Sequence, residues 1–149
     1  MNYYIQQITA KETHTVRHPI LRPGKPIDSC DFEGDYLETT IHFGLFLDSK
    51  LAGVVTFMKN NHELLHFKNQ YQLRGMAILK KFQGRGLGNH LIIHGEEFLK
   101  TQNMEILWCN AREIAVNFYE RNGFKIIGEA FTIPEIGLHY VMYKLFEPR

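Results

Sequence analysis

Hydrophobic and polar positions change rhythm several times along this chain, and the changes divide it into elements. Residues 3–8 (YYIQQI) are β-branched and aromatic, which predicts a first strand. Residues 10–21 read as a helix broken near Pro19. Two apolar runs, 39–47 (TTIHFGLFL) and 51–58 (LAGVVTFM), predict strands joined by a tight connection at Asp48, Ser49 and Lys50. A further strand is expected over 71–79 (YQLRGMAIL). Its central Gly75 marks either a bulge or a place where another group comes close to the backbone. Leu87, Leu91, Phe98 and Leu99 recur at helical spacing and predict a helix over 87–100. A strand over 105–109 and a helix over 112–122 follow, with Gly123 where a left-handed C-terminal cap belongs. Residues 124–131 and 138–146 complete the pattern as two strands around a turn containing Pro134 and Gly137. A pair of strands, then strand–helix–strand–helix, then a final pair predicts an α/β fold on a mixed, mostly antiparallel sheet with a parallel portion in the middle.

Composition narrows the class without naming a chemistry. The 149 residues are expected to form one domain, 1–149, on the usual ~100–200 residues per domain. Seventeen Lys and Arg against sixteen Asp and Glu leave a net charge of +1, which advertises no nucleic-acid partner. No apolar run approaches the ~20 residues of a membrane span. The N-terminal residues lack the basic and apolar regions of a signal peptide, and two cysteines, Cys30 and Cys109, make no disulfide framework. A reduced, cytoplasmic setting is therefore expected. Charge is unevenly placed, however. From Pro26 to Ser49 there is no Lys or Arg, while Asp28, Asp31, Glu33, Asp35, Glu38 and Asp48 fall inside. This is either a solvated acidic loop or a negative lip that attracts a cationic substrate.

The stretch 71–99 carries the most chemistry. A strand ends near Leu79, and Gln83-Gly84-Arg85-Gly86-Leu87-Gly88 leads into a helix. Glycines at 84, 86 and 88 let successive backbone N–H groups converge, and the helix start adds its unpaired N–H groups and positive dipole end. Together they suit a pyrophosphate, with Lys80, Lys81 and Arg85 nearby. A Walker A loop is excluded because Asn89 and His90 follow Gly88, and the dinucleotide fingerprint fails at its third glycine, where Asn89 stands. Gln83, Gly86 and Gly88 instead fill the pattern Gln/Arg-x-x-Gly-x-Gly/Ala. This resembles the pyrophosphate loop of the GNAT N-acetyltransferase superfamily. A second match lies downstream: in 110–124, Ala115, Phe118, Tyr119, Gly123 and Phe124 stand where that family has an Ala-rich helix ending in Phe-Tyr-x-x-x-Gly-Phe. The resemblance covers about residues 39–146.

The resemblance implies a GNAT-like fold with a central, splayed parallel strand pair flanked by helices, and transfer of an acetyl group from acetyl-CoA to a primary amine. The amine attacks directly, through a tetrahedral intermediate, and no metal is required. It implies that Met76, Ala77 and Ile78 pair with the pantetheine arm, and that Gln83, Gly84, Arg85, Gly86, Leu87 and Gly88 hold the pyrophosphate. The backbone N–H near Ile78 would stabilise the oxyanion. Tyr119 matches the general acid, and Asn110 and Asn117 are candidate hydrogen-bond partners of the cofactor. The acceptor is a small-molecule amine, a lysine or a protein N-terminus. Dimerisation is common in the family, and no residue here decides it.

One departure stands out. Many relatives carry Glu or His on the strand before the glycine loop, and here Gln72 and Arg74 occupy those places. Neither is a base at neutral pH. His42 and Glu38 are the candidate bases, and Arg74 points to binding a substrate carboxylate or to a solvated strand face. The missing base keeps open an alternative, a non-catalytic acyl-CoA-binding module. Eight histidines include His62 and His66 in a formal HExxH pattern (HELLH). Zinc binding needs both on one helical turn, whereas in an extended segment between two strands they lie roughly 13 Å apart at ~3.3 Å per residue. A metal site is not expected there.

Overall fold

The computed structural model describes residues 2–147. Seven strands are formed: β1 (Tyr3–Ile8), β2 (Ile41–Leu47), β3 (Lys50–Lys59), β4 (Gln70–Ile78), β5 (Ile106–Arg112), β6 (Lys125–Ile133) and β7 (Gly137–Leu145). Three α-helices accompany them: α1 (His14–Leu21), α2 (Leu87–Lys100) and α3 (Val116–Arg121). The strand order is β1-β2-β3-β4-β5-β7-β6. Pairing is antiparallel for β1–β2, β2–β3, β5–β7 and β6–β7, and parallel for β4–β5. The parallel register runs from Gln70 opposite Ile106 to Gln72 opposite Trp108. The expected mixed sheet with a parallel portion in the middle is the sheet observed.

The chain divides into two compact units. The first comprises Met1–Met58 and Leu73–Phe98. Its strands β2 and β3 are joined by a two-residue turn in which Asp48 and Ser49 both have positive φ, 47° and 68°. That conformation matches the twist of a hairpin, which is why Leu47 pairs directly with Lys50. One side of this unit's core joins Ile8, Val16, Val54 and Ala77. Helix α2 buries Leu87, Leu91, Ile92 and Leu99, the stripe its periodicity predicts. Phe98, expected on that stripe, stays 37% exposed and meets the Phe43 ring edge-on.

The second unit comprises Lys59–Gln72 and Leu99–Arg149. Leu65, Ile106, Trp108 and Val141 form its core cluster. The HELLH segment lies here as an irregular connection, not as an extended strand end. Buried Gln70 organises it: its Oε1 accepts from the His62 N–H at 2.8 Å, and its Nε2 donates to the carbonyls of Leu65 and Phe67. The His62 ring meets Trp108 edge-on at 4.8 Å. His62 is thereby spent on packing. Among the described residues no group of His, Cys, Asp and Glu is placed to hold a metal.

Two element boundaries differ from expectation. Pro19 lies inside α1, which continues to Leu21. A proline so close to a helix end removes one donor only, and the turn closes as Arg22 N–H donates to the carbonyls of Arg17 and His18. The helix expected over 112–122 is a 3-10 turn over Glu113–Ala115 followed by the short α3. Strand β5 extends to Arg112 because β7 supplies partners as far as His139, and so takes up Asn110 and Ala111, expected in neither element, and Arg112, expected in the helix. Gly123 has φ +92°, the left-handed cap its position predicted. No helix among the described residues is long and apolar enough to cross a membrane.

Gly95 shows how tightly α2 is seated. A Cβ there would overlap the ring of fully buried Phe57. Gly95→Ala gains about 1 kcal/mol of helix propensity but overpacks a site where such insertions cost about 1–3 kcal/mol. We expect a net loss of stability, read as a lower urea midpoint.

Candidate active site

Residues 73–98, which carry most of β4, the glycine turn and most of α2, form a continuous piece of the first unit. Strand β4 is anchored at its end by the Leu79 N–H, which donates to the Ala52 carbonyl at 2.9 Å. The chain then makes a 3-10 turn over Lys80–Phe82. Gln83 turns its side chain back, and its Nε2 donates to the Ile78 carbonyl at 2.9 Å. Gln83 therefore ties the turn to the strand.

Gly84 and Gly86 have φ of +79° and +77°, a region costly to residues with a Cβ. A Cβ at either would meet nothing within 4 Å. These glycines are thus explained by backbone conformation and not by packing, and the space beside them is open. Gly84, Arg85 and Gly86 are exposed, while Leu87 and Gly88 are buried as α2 begins. Beside the turn lies a cavity of about 440 Å³ whose lining includes the cations Lys50, Lys81 and Arg85, with Phe82 and one carboxylate residue, Asp48. The Lys81 ammonium and the Arg85 guanidinium sit 5.0 and 5.6 Å from the Phe82 ring centroid. Left-handed glycines, a helix start and these cations fit a phosphorylated ligand. On β4 itself, Ala77 is buried, and Met76 and Ile78 are half-buried.

Behind β4 the first unit holds a buried polar network that sequence reasoning missed. Arg17 is fully buried and ion-paired with Asp35, which is 3% exposed. Its guanidinium also donates to the Cys30 carbonyl and to the Thr56 hydroxyl, both at 2.8 Å. Its buried Nε has no hydrogen-bond partner among the described residues. The group approaching Gly75 is this guanidinium: a Cβ on Gly75 would stand 3.0 Å from Nη2, and φ there is +63°. A lone arginine in an apparent loop-and-helix region gives no sequence signal of burial. The strand glycine opposite it was the one available clue.

His42 belongs to the same network. Its Nε2 donates to the Asp35 carbonyl at 2.9 Å, and its Nδ1 is bonded to the Thr56 hydroxyl at 2.7 Å. Burial depresses its pKa, so the ring is neutral and Thr56 donates to Nδ1. His42 would have to surrender that bond to take up a proton. Gln72 accepts from Asn60 at 3.0 Å, and Arg74 donates to the Glu33 carbonyl at 2.8 Å. Glu38 is exposed.

In the second unit, Tyr119 lies on α3, 7% exposed, against Phe118 and Phe124. Burial, with a contribution from Cys109, raises its pKa well above the usual phenol value. Asn110 on β5 and Asn117 on α3 are both exposed.

The sheet that carries this strand, glycine turn and helix has the fold of an acyltransferase. Residues 7–124 match the Acetyltransferase (GNAT) family, and the chain belongs to that family of acetyltransferases. It is 38% identical over 140 residues to the uncharacterized N-acetyltransferase YitI of Bacillus subtilis (strain 168), with 94% of each chain covered. An aminoglycoside 6'-N-acetyltransferase solved with coenzyme A has the same fold, with a TM-score of 0.78 at 12% identity and 98% of each chain covered. Escherichia coli ElaA superposes with a TM-score of 0.74 at 14% identity, covering 96% of this chain and 99% of its own.

His42 also sets a pH dependence of stability. Its folded pKa lies below the unfolded value near 6.5, so the unfolded chain binds the proton more readily. His42 therefore costs nothing above about pH 7 and destabilises the fold increasingly as pH falls through about 6.5 toward the folded pKa. We expect the urea midpoint to drop between pH 7.5 and pH 5. His94, depressed in the same direction, adds to that drop, and His42→Gln should make it shallower.

Proposed function

We propose that this protein transfers the acetyl group of acetyl-CoA directly to the free-base form of a primary amine. The observation that carries the reading is the pair of open, left-handed glycines, Gly84 and Gly86, at the start of α2. Backbone amides from Gln83 to Gly88 bind the pyrophosphate, and Arg85 adds charge. Met76, Ala77 and Ile78 offer main-chain groups to the pantetheine arm, and the Ile78 N–H polarises the thioester carbonyl. Exposed Asn110 and Asn117 are available to hydrogen-bond the carrier. The bound thioester supplies an activated acyl group and a thiolate leaving group.

Tyr119 is the proton donor in this proposal. Its raised pKa keeps the phenol protonated at neutral pH, and the same burial makes complete loss of the proton costly. Its hydroxyl passes its proton to the sulfur as the C–S bond breaks, and the proton that leaves the amine nitrogen restores the phenol. With Gln72 and Arg74 in place of a strand base, the amine arrives deprotonated or loses its proton to water.

Calorimetry should show micromolar binding of acetyl-CoA. Gly86→Val, which strains φ and covers the amides, should weaken that binding at least ~10-fold; the backbone strain costs about 1–2 kcal/mol, so the melting temperature should fall by only several degrees and the chain stay folded. No binding at millimolar acetyl-CoA overturns the reading.

Tyr119→Phe should lower kcat by about 100-fold, the lower end of general acid effects, with the KM for acetyl-CoA unchanged. Unaltered turnover removes Tyr119 from the chemistry.

A further inference from the structure

Three guanidinium groups gather around one aromatic ring in the first unit. Arg17, Arg22 and Arg74 lie 4.1, 4.9 and 5.4 Å from the Phe32 ring centroid. Arg17 is paired with Asp35. The other two have no carboxylate within ion-pair distance among the described residues: Arg22 donates one Nη1 bond to the Leu21 carbonyl, and Arg74 donates its Nη1 to the Glu33 carbonyl. Neither Arg22 nor Arg74 uses Nε or Nη2 in a hydrogen bond with a described residue. Arg74 is half-buried; burial disfavours its charge most, Asp35 and Glu33 favour it, and Arg17 and Arg22 disfavour it. Stacking on Phe32 offsets part of that repulsion. Partly desolvated like charges with free, planar donor forks are the arrangement that recognises an oxyanion.

The place is also informative. Arg74 precedes Met76–Ile78 on the same strand, and four residues of strand span roughly 13 Å. An arginine side chain and a short organic molecule cover that distance together. The acidic loop, meanwhile, is less available to a cation than its sequence suggests: Asp35 is consumed by Arg17, and Asp31 by His14 and Tyr36 at 2.8 Å each.

We propose that Arg22 and Arg74, gathered around Phe32, bind a carboxylate carried by the acceptor, so that the substrates are amines bearing a carboxylate. This deepens the acetyl-transfer reading and rests on it. Phe32 gathers the two guanidinium groups, 4.9 and 5.4 Å from its ring centroid, and their free Nε and Nη2 donors meet the two carboxylate oxygens.

The test is a calorimetric titration of the whole protein, free and saturated with CoA, with glycine, β-alanine, 4-aminobutyrate and 6-aminohexanoate and with the carboxamide of each. At least one acid should bind tenfold or more tightly than its amide. That preference should fall to threefold or less in Arg74→Gln and in Arg22→Gln, and Arg74→Lys, which keeps the charge but loses the planar fork, should restore it in part. Melting temperatures on the same samples report folding. Arg22, bonded only to its neighbour's carbonyl, provides a variant that does not disturb the strand. Acids that bind no better than their amides, or a preference that survives both glutamine variants, overturn the proposal. Failure of CoA to bind overturns the acetyl-transfer reading instead, and the titrations of free protein still decide the carboxylate site.

Discussion

The buried Arg17–Asp35 ion pair is the constraint on which the first unit's architecture turns. A guanidinium with no exposure cannot be left without a counter-charge, and removing one partner of such a pair costs about 3–5 kcal/mol. Arg17 belongs to α1 and Asp35 to the long segment before β2, so the pair fastens that segment to the helix. The Thr56 hydroxyl, the Cys30 carbonyl and the His42 ring complete the arrangement across β2 and β3. Replacing the pair by apolar side chains of equal volume need not destabilise the fold. Its distinctive contribution is position: it fixes residues 30–42 against α1 with every donor of the guanidinium engaged except Nε.

Gly75 is the counterpart of that arrangement on β4. Strand geometry would normally place a side chain there, and Arg17 occupies the space instead. The ion pair and the strand that leads into the glycine turn are therefore built against each other. Gly75, Gly84 and Gly95 show three separate uses of a missing side chain: room for a buried charge, a left-handed turn facing open space, and close approach of a helix to Phe57.

Much of this was legible in sequence because it is local. The β2–β3 hairpin, the apolar stripe of α2, the cap at Gly123 and the glycine turn each depend on residues close together in the chain. Gly75 could be read as a place of close approach, but the approaching group could not, since Arg17 lies 58 positions earlier and its burial depends on tertiary packing. The extension of β5 through Asn110 was hidden for a similar reason: its partners are on β7. HELLH shows the converse failure. Its letters suit a zinc helix, yet Gln70 and Trp108, outside the motif, hold it as an irregular connection. The near-zero net charge likewise conceals an acidic segment in which Asp31 and Asp35 are paired within the fold, and an arginine cluster in which Arg17 alone is ion-paired among the described residues.

Both cysteines are buried, 0% exposed at Cys30 and 1% at Cys109, and burial raises the pKa of each thiol. Reactivity toward disulfide reagents requires an accessible thiolate, and the folded chain offers none among its described residues. An aromatic disulfide dye added to the native enzyme would stay colourless until a free thiol is liberated by turnover. Colour developing in the absence of any acyl donor would then measure opening of the protein itself, which makes the same reagent a monitor of the integrity of the fold.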